Sequence, residues 1–432
     1  MRIRVLSVVL LVVAAVMTFS LTRGQDRVPS TARAKSDTPA TTAKPPATPA
    51  PPSRPPARDF SKLGTLQNEM LGSCQRGADW LFRVNGVKGR FVNGYLPALK
   101  TQMEGDNYLR QASAAFALAR AARFLGEERY AARAAQAILT LLDETVTDSA
   151  DPVCRHTVLP SMVVNRLGAA GLLVLAINEL PAPQPDLLEK SEQLCNWIRR
   201  QARADGSLRC NDAVENDKAA ADDADSVNKY TGLALYAVLR SQKHRPADWK
   251  TELARKAAAY YRPWWKAHRA MIFVPWHTAA CAEAYMQTKD AAFAEFVFEM
   301  NDWLCRLQYD QIDPQRLTWY GGFMSWADGK AVDAPPTIVS AVYAESLAQA
   351  CRTARAGSDP AHHQHYTEAA ERCLQFVVRL QYTDANAQHF ADWYRPRLVG
   401  AFHASFQDGN LRIDYTQHAL SALIAYLEDA SP

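Results

Sequence analysis

The sequence predicts an all-α fold, an (α/α)6 toroid of six helical hairpins, on three observations. From Asp59 onward apolar residues recur at helical spacing, and no convincing alternating strand pattern appears. Twelve helical segments alternate in character, odd ones charged and amphipathic, even ones small and apolar nearly all round. The loops joining them repeat. A helix apolar on every side must be buried. Six exposed helices alternating with six buried ones therefore give two concentric rings.

The elements follow in chain order. Residues 5–21 (VLSVVLLVVAAVMTFSL) carry no charge and are preceded by Arg2 and Arg4. A positive start and an apolar run mark residues 1–24 as a signal peptide or an uncleaved signal anchor. Residues 25–58 hold nine of the 24 prolines, mixed with Ala, Thr and Ser. Such a stretch cannot bury a core and extends as a spacer. Residues 59–432 form the toroid. Its expected helices are 63–84, 107–125, 128–142, 159–179, 186–203, 226–242, 248–268, 275–288, 291–307, 336–355, 362–380 and 411–427. The buried set is recognised by ASAAFALARAA after Gln111, GAAGLLVLAI after Leu167, GLALYAVL after Thr231 and ALSALIAYL after His418. About 374 residues suit one twelve-helix ring, read as a monomer, with no second domain.

The repeat is internal. Leu307-Gln308-Tyr309 recurs as Leu380-Gln381-Tyr382, and Trp319-Tyr320 as Trp393-Tyr394. GGFMSWADG (321–329) recurs as GAFHASFQDG (400–409), with weaker echoes at 200–209 and 83–91. Each unit is thus an outer helix, a long polar loop with Gly and aromatics, and an inner helix. These loops resemble the repeats of the terpenoid-cyclase toroids, which speaks to fold more than to function.

Composition excludes several functions. A formal charge of +4 gives no general case for nucleic acid. One apolar run excludes a polytopic membrane protein, so membrane contact is confined to the N-terminal segment. There is no Walker loop, Rossmann fingerprint, G-x-S-x-G or H-E-x-x-H, and none of the eight cysteines has zinc-ligand spacing. No cofactor and no metal are expected. Cys154 and Cys210 lie in loops and are the better disulfide candidates.

In such a ring the long loops gather where the inner helices start. Glu104 and Asp106 precede the first inner helix and could act as general acid or base; Asp106 could instead cap the helix and pair with Arg110. The third junction is the most acidic: Asn211, Asp212, Glu215, Asn216, Asp217, Asp222, Asp223 and Asp225. Crowded carboxylates raise one another's pKa, so Asp225 could donate a proton, or it could simply cap the helix. Trp276 and His277 open the fourth inner helix, where His277 binds substrate or satisfies a backbone carbonyl. Loop aromatics Trp319 and Trp326, with His403, could line a site where sugar rings stack.

The last junction, Arg412-Ile413-Asp414-Tyr415-Thr416-Gln417-His418, is the sharpest signal. Asp414 and His418 share one helix face. Such groups at a buried helix start are costly unless they face a polar cavity. The segment resembles the Arg/Asp/Tyr/His-rich helix start of the glucuronyl C5-epimerases, and the body resembles the six-hairpin superfamily of glycoside hydrolases, polysaccharide lyases and uronate epimerases. That resemblance implies a protein acting on a polysaccharide or oligosaccharide, and the N-terminal segment makes it an exported one, periplasmic or extracellular. In hydrolysis, Asp225 or Glu104 would protonate the leaving oxygen and Asp414 would be the partner carboxylate. In a lyase or epimerase, Tyr415 or His418 would abstract the C5 proton while Arg412 holds the uronate. A non-catalytic glycan-binding scaffold and a terpenoid-cyclase-like enzyme are the alternatives; the order DDxD at 222–225 does not match the cyclase motifs.

Overall fold

The computed structural model describes residues 58–159, 163–210 and 224–430. The leader, residues 25–57 of the spacer and the acidic positions from Asn211 to Asp223 lie outside the described residues. Among the described residues no helix is long and apolar enough to cross a membrane.

Among the described residues twelve helices of ten residues or more follow one another: α1 (Thr65–Val84), α2 (Tyr108–Leu125), α3 (Glu128–Leu142), α4 (Arg166–Glu179), α5 (Pro185–Arg200), α6 (Gly232–Ser241), α7 (Asp248–Ala267), α8 (Val274–Thr288), α9 (Ala291–Cys305), α10 (Ser340–Ala356), α11 (Pro360–Val378) and α12 (Ile413–Ala430). The even helices touch in the cycle α2, α4, α6, α8, α10, α12 and back to α2. The odd helices pack outside them. In α4 every residue from Leu167 to Glu179 is buried. Small side chains make the close approach feasible. A side chain at Gly232 would stand 2.6 Å from the His277 amide nitrogen of α8. α4 opens at Arg166, later than its apolar pattern suggests, because the Asn165 side chain caps it by accepting from the Gly168 N–H at 2.9 Å.

Among the described residues eight strands of two to five residues sit in the loops, too short for an alternating pattern to register in the sequence. β1 (Gly94–Leu96), β2 (Thr101–Gln102), β7 (His403–Ser405) and β8 (Asp408–Arg412) form one antiparallel sheet in the order β2-β1-β8-β7. Its β1–β8 register, Gly94 opposite Arg412, ties the first hairpin to the last. β3 (Thr145–Thr147) pairs with β4 (Arg155–Thr157), and β5 (Ser325–Ala327) with β6 (Lys330–Val332). Cys154 and Cys210 are not joined: the Cys154 thiol donates to Asp151 and the Cys210 thiol to the Leu208 carbonyl.

The sequence repeat is a structural staple. Four loops open with a lone backbone bridge: Asn85 to Phe91, Ala202 to Leu208, Gln308 to Phe323, Gln381 to Phe402. Two residues before each apolar partner stands a glycine with positive φ: Gly89, Gly206, Gly321 and Gly400. At Gly400 a Cβ would lie 2.3 Å from the Arg76 carbonyl oxygen of α1. Gln308 donates to Gly321 and Ala369 carbonyls at 3.0 and 2.9 Å. Gln381 donates likewise to Gly400 and Ser73, and accepts from Ser73 Oγ and Arg76 Nε. Each staple binds a loop to the next outer helix, and the Gln381 staple returns the chain to α1.

At the opposite end, where the inner helices finish, a belt of buried ion pairs runs round the ring. Arg352 (α10) pairs with Glu283 (α8) at 3.3 Å, and Glu283 with Arg240 (α6) at 3.4 Å. Arg240 donates to Glu179 (α4) at 3.1 Å, and Glu179 accepts from Arg123 (α2) at 2.8 Å. Arg123 reaches Glu428 (α12) at 2.7 Å; Glu428 meets Arg120 (α2) at 3.3 Å, and Arg120 returns to Glu345 (α10) at 2.7 Å. All six inner helices take part. The belt rims a cavity of about 450 Å³ on the ring's axis. Arginines in the last helical turns also oppose the negative ends of the helix dipoles.

Gly400→Ala combines positive φ with a carbonyl clash and should lower stability by about 2–4 kcal/mol in chemical denaturation. Glu179→Gln leaves Arg123 and Arg240 facing an uncharged partner and should cost about 3–5 kcal/mol at neutral pH. Burial would raise the Glu179 carboxyl, but Arg240, Arg123 and Arg120 outweigh it and hold it far below the ordinary carboxylate value of 4.5. Glu428 is lowered in the same way. Glu345 is raised by burial despite Arg120 and works in the opposite sense. Depressed carboxyls contribute stability above their unfolded pKa and lose it as pH falls. Wild-type stability should therefore drop on acidification below about pH 4.5, and Glu179→Gln should show a shallower drop.

Candidate functional site

The long loops and the first turns of the inner helices meet at the other end of the ring. Helix N-termini leave backbone N–H groups unpaired there, and their dipoles favour oxygen-rich or anionic groups.

The sheet pairing of β1 with β8 brings the first and last junctions together. Arg412 ends β8 and donates through Nε and Nη2 to the two oxygens of Asp414, at 2.9 and 2.6 Å. Its guanidinium also lies 4.4 Å from the Tyr415 ring centre. From α2, Arg110 stands 3.7 Å from Asp414 and donates to the Asn93 side chain at 3.4 Å. Asn93 in turn donates to the Glu104 carbonyl at 3.2 Å. Burial would raise the Asp414 carboxyl, yet Arg412 above all, with Arg110 behind it, holds it below the ordinary carboxylate range. It is an anion clamped between two arginines. The Tyr415 hydroxyl is pushed up, chiefly by burial, with Arg412 opposing. His418, one turn on, is lowered by burial although Asp414 pulls it up, so the ring is neutral at pH 7. Its Nδ1 is buried and has no hydrogen-bond partner.

Asp106 forms a neighbouring cluster. It pairs with Arg90 at 3.3 Å and accepts from Gln111 at 2.9 Å, while Arg90 also pairs with Glu144. Arg90, Asp106 and Glu144 line a cavity of about 240 Å³ with Tyr108, Leu109 and Leu159. The helix cap is Asn107 rather than Asp106, accepting from the Arg110 N–H at 3.0 Å. Glu104 has an exposed side chain.

The remaining candidates, apart from His403 on β7 beside β8, lie in other sectors. Asp225 is 70% exposed and pairs with Lys229 at 2.7 Å. Trp276 is half-buried beside Tyr236. His277 is enclosed: it stacks on Phe273 at 3.7 Å, bonds Thr231 at 2.9 Å, and is pulled down to about 3 by burial. Trp319 lies beneath Arg316 and beside Tyr309 on the rim. Trp326, in the β5–β6 hairpin, meets Trp303 edge-on at 4.9 Å and lines a cavity of about 280 Å³ with Met271, Pro336 and Tyr343. His403 bonds the Ser405 carbonyl at 2.8 Å and is lowered by burial. Among the described residues no group of three or more His, Cys, Asp or Glu could hold a metal ion.

The structure thus gathers Arg412, Asp414, Tyr415 and His418 with Arg110, and sets Asp225 and Trp326 apart from them. Sequence reasoning passed over Asn93 and Arg90. Each stands in the irregular loop between α1 and β1, and no local pattern marks it.

The ring is the six-hairpin toroid also seen in solved sugar-acting enzymes. D-mannose isomerase is similar with a TM-score of 0.59 and 12% identity, over 85% of this chain and all of its own. The unsaturated glucuronyl hydrolase of Bacillus sp. GL1, responsible for degrading glycosaminoglycan, matches at 0.58 and 13%, over 84% and 97%. The α-1,6-mannanase of Salegentibacter sp. HEL1_6 matches at 0.55 and 10%, over 83% and 99%. At such identities the likeness is one of fold. No protein-family model matches the sequence, and no curated protein is significantly similar to it.

The electrostatics of the cluster give a prediction. The His418 imidazole should titrate below the ordinary histidine value of 6.5. Asp414→Asn removes the charge that pulls it up, so the pKa should fall further, as read by NMR titration of the histidine ring. A rise in Asp414→Asn would contradict the geometry.

Proposed function

We propose that this protein is an exported carbohydrate-active enzyme whose site is the Arg110–Arg412–Asp414–Tyr415–His418 cluster, and that its glycan carries uronic acid. The observation that carries this reading is the double-arginine clamp at the funnel end of a sugar-enzyme ring. Three charges, two positive and one negative, leave one positive charge for a substrate carboxylate, and a guanidinium fork suits that geometry. Asp414 is committed to the two arginines and ionised, which suits it to steady positive charge rather than to donate a proton. A neutral His418 with an unpaired Nδ1 suits proton abstraction next to the held carboxylate, with Tyr415 beside it to return or relay the proton. This favours lyase or epimerase chemistry. Hydrolysis is the second reading, with Asp225 or Glu104 as acid. A variant of the neighbouring mannanase with two adjacent aspartates replaced by asparagine is inactive. This chain also carries an adjacent pair, Asp222-Asp223, before α6. The apolar leader and proline-rich spacer support delivery across a membrane, tethered or released.

The test is a screen on uronic-acid polymers, an unsaturated glucuronyl disaccharide and α-1,6-mannotriose. Unsaturated products mean a lyase, new reducing ends without them a hydrolase, and exchange of the C5 proton with solvent an epimerase. Arg412→Ala and His418→Ala should each lower turnover at least a hundredfold. Asp222→Asn/Asp223→Asn should abolish it only if hydrolysis is the reaction. Glycan binding without turnover, unaltered by these changes, would make the ring a binding scaffold.

A further inference from the structure

The inner helix opposite α12 in the ring begins irregularly. Between the short turn Ala224–Ser226 and α6, residues Val227–Thr231 form a π-helical turn. Such a turn inserts one residue into the helix, and in proteins it is found disproportionately at functional sites. It persists only where neighbours hold it. Here the Thr231 hydroxyl donates to the Val227 carbonyl at 2.7 Å. With its one proton so used, Thr231 Oγ1 accepts from His277 Nε2–H at 2.9 Å. His277 is fixed in turn by face-to-face stacking on Phe273, 3.7 Å apart and 8° from parallel, and by the edge of Tyr261 at 5.0 Å. Gly232, directly after the π turn, lets α8 come close enough for this contact.

Asn228 sits inside the π turn at the funnel end. Its Oδ1 is buried and lacks any hydrogen-bond partner. An unpaired buried amide oxygen is costly, and native structures rarely keep one without reason. On the opposite wall, at the same end of the ring, His418 Nδ1 is also buried and unpartnered. An amide oxygen accepts only, so what completes it is a donor such as a hydroxyl.

We propose that Asn228 is a substrate-binding residue whose Oδ1 accepts a hydrogen bond from a sugar hydroxyl, and that His277, through Thr231, is the positioning residue that holds the π turn presenting it. This rests on the glycan reading above. It adds a second wall to the site, across the ring from the arginine clamp. It also gives His277 a role that needs no contact with substrate.

The experiment measures affinity for whichever screened glycan binds, together with thermal stability, in the full chain. Asn228→Ala should weaken binding about tenfold, the worth of one neutral hydrogen bond. Its melting temperature should hold or rise, because an unsatisfied buried oxygen is removed; a purely structural asparagine would lower it. Thr231→Val should weaken binding similarly, and Thr231→Ser should restore it. If Asn228→Ala binds as tightly as wild type, the inference is overturned and the glycan reading stands. If wild type binds no screened glycan, the glycan reading falls and the inference falls with it.

Discussion

Everything at the funnel depends on the ion-pair belt at the far end of the ring. The inner helices are smooth: their contacts are mostly alanine, glycine and leucine, and apolar burial of that kind is non-directional. Burial alone would let one inner helix slide or turn against the next at modest cost. The belt removes that freedom. Glu179 of α4 accepts from Arg123 of α2 and Arg240 of α6, Glu428 of α12 accepts from Arg120 and Arg123 of α2, and Glu345 of α10 accepts from Arg120 across the ring, so every inner helix is keyed to at least one other. Shifting one helix by a residue would strip two buried charges of their partners, which is far more expensive than lost packing. The four arginines and four glutamates balance, so the belt adds register without adding net charge.

The glutamine-and-glycine staples do the matching work at the loop end. They tether loops to outer helices, while the belt aligns inner helices with one another. Gln381 and Gly400 matter most for closure, because they join the last loop to α1 and so bring β8 beside β1. Without that pairing Arg412 would not stand across from the start of α2, and Arg110 would not reach Asp414. The site is a product of ring closure between residues some 300 positions apart in sequence.

This explains what could be read from the sequence and what could not. The alternation of charged and apolar helices is a local pattern, and it yields the two rings. The Leu-Gln-Tyr and Gly repeats are local too, though their meaning as staples needs the neighbouring helix. The arginine-aspartate-tyrosine-histidine run is contiguous, so it was visible; Arg110 joins it only in three dimensions. His277 looked like a ligand because a histidine at a helix start has no local partner, and its partner Thr231 is 46 residues away. The π turn hides because one inserted residue barely disturbs an apolar pattern. The belt left a trace that reads at first as a flaw: charged residues near the end of each apolar segment, among them Arg120, Glu179, Arg240, Glu283, Arg352 and Glu428. Charges in an otherwise all-apolar helix must be paired, and their recurrence at corresponding ends of six buried helices points to one shared layer.

The two ends of the ring therefore differ in how their polar groups are satisfied, and that difference is chemical. At the belt, each carboxylate answers a guanidinium, and a ligand would have to displace strong existing bonds to enter. At the funnel, Asp414 is saturated, but His418 Nδ1 and Asn228 Oδ1 are not. A hydrogen bond made there replaces no protein partner and relieves a desolvated atom, so it is worth more than the same bond on an open surface. A base whose buried charges are paired and a mouth that leaves buried polar atoms unpaired are complementary requirements. The first holds the inner helices in register, and the second leaves buried polar atoms, His418 Nδ1 and Asn228 Oδ1, that a hydrogen-bonding ligand would satisfy.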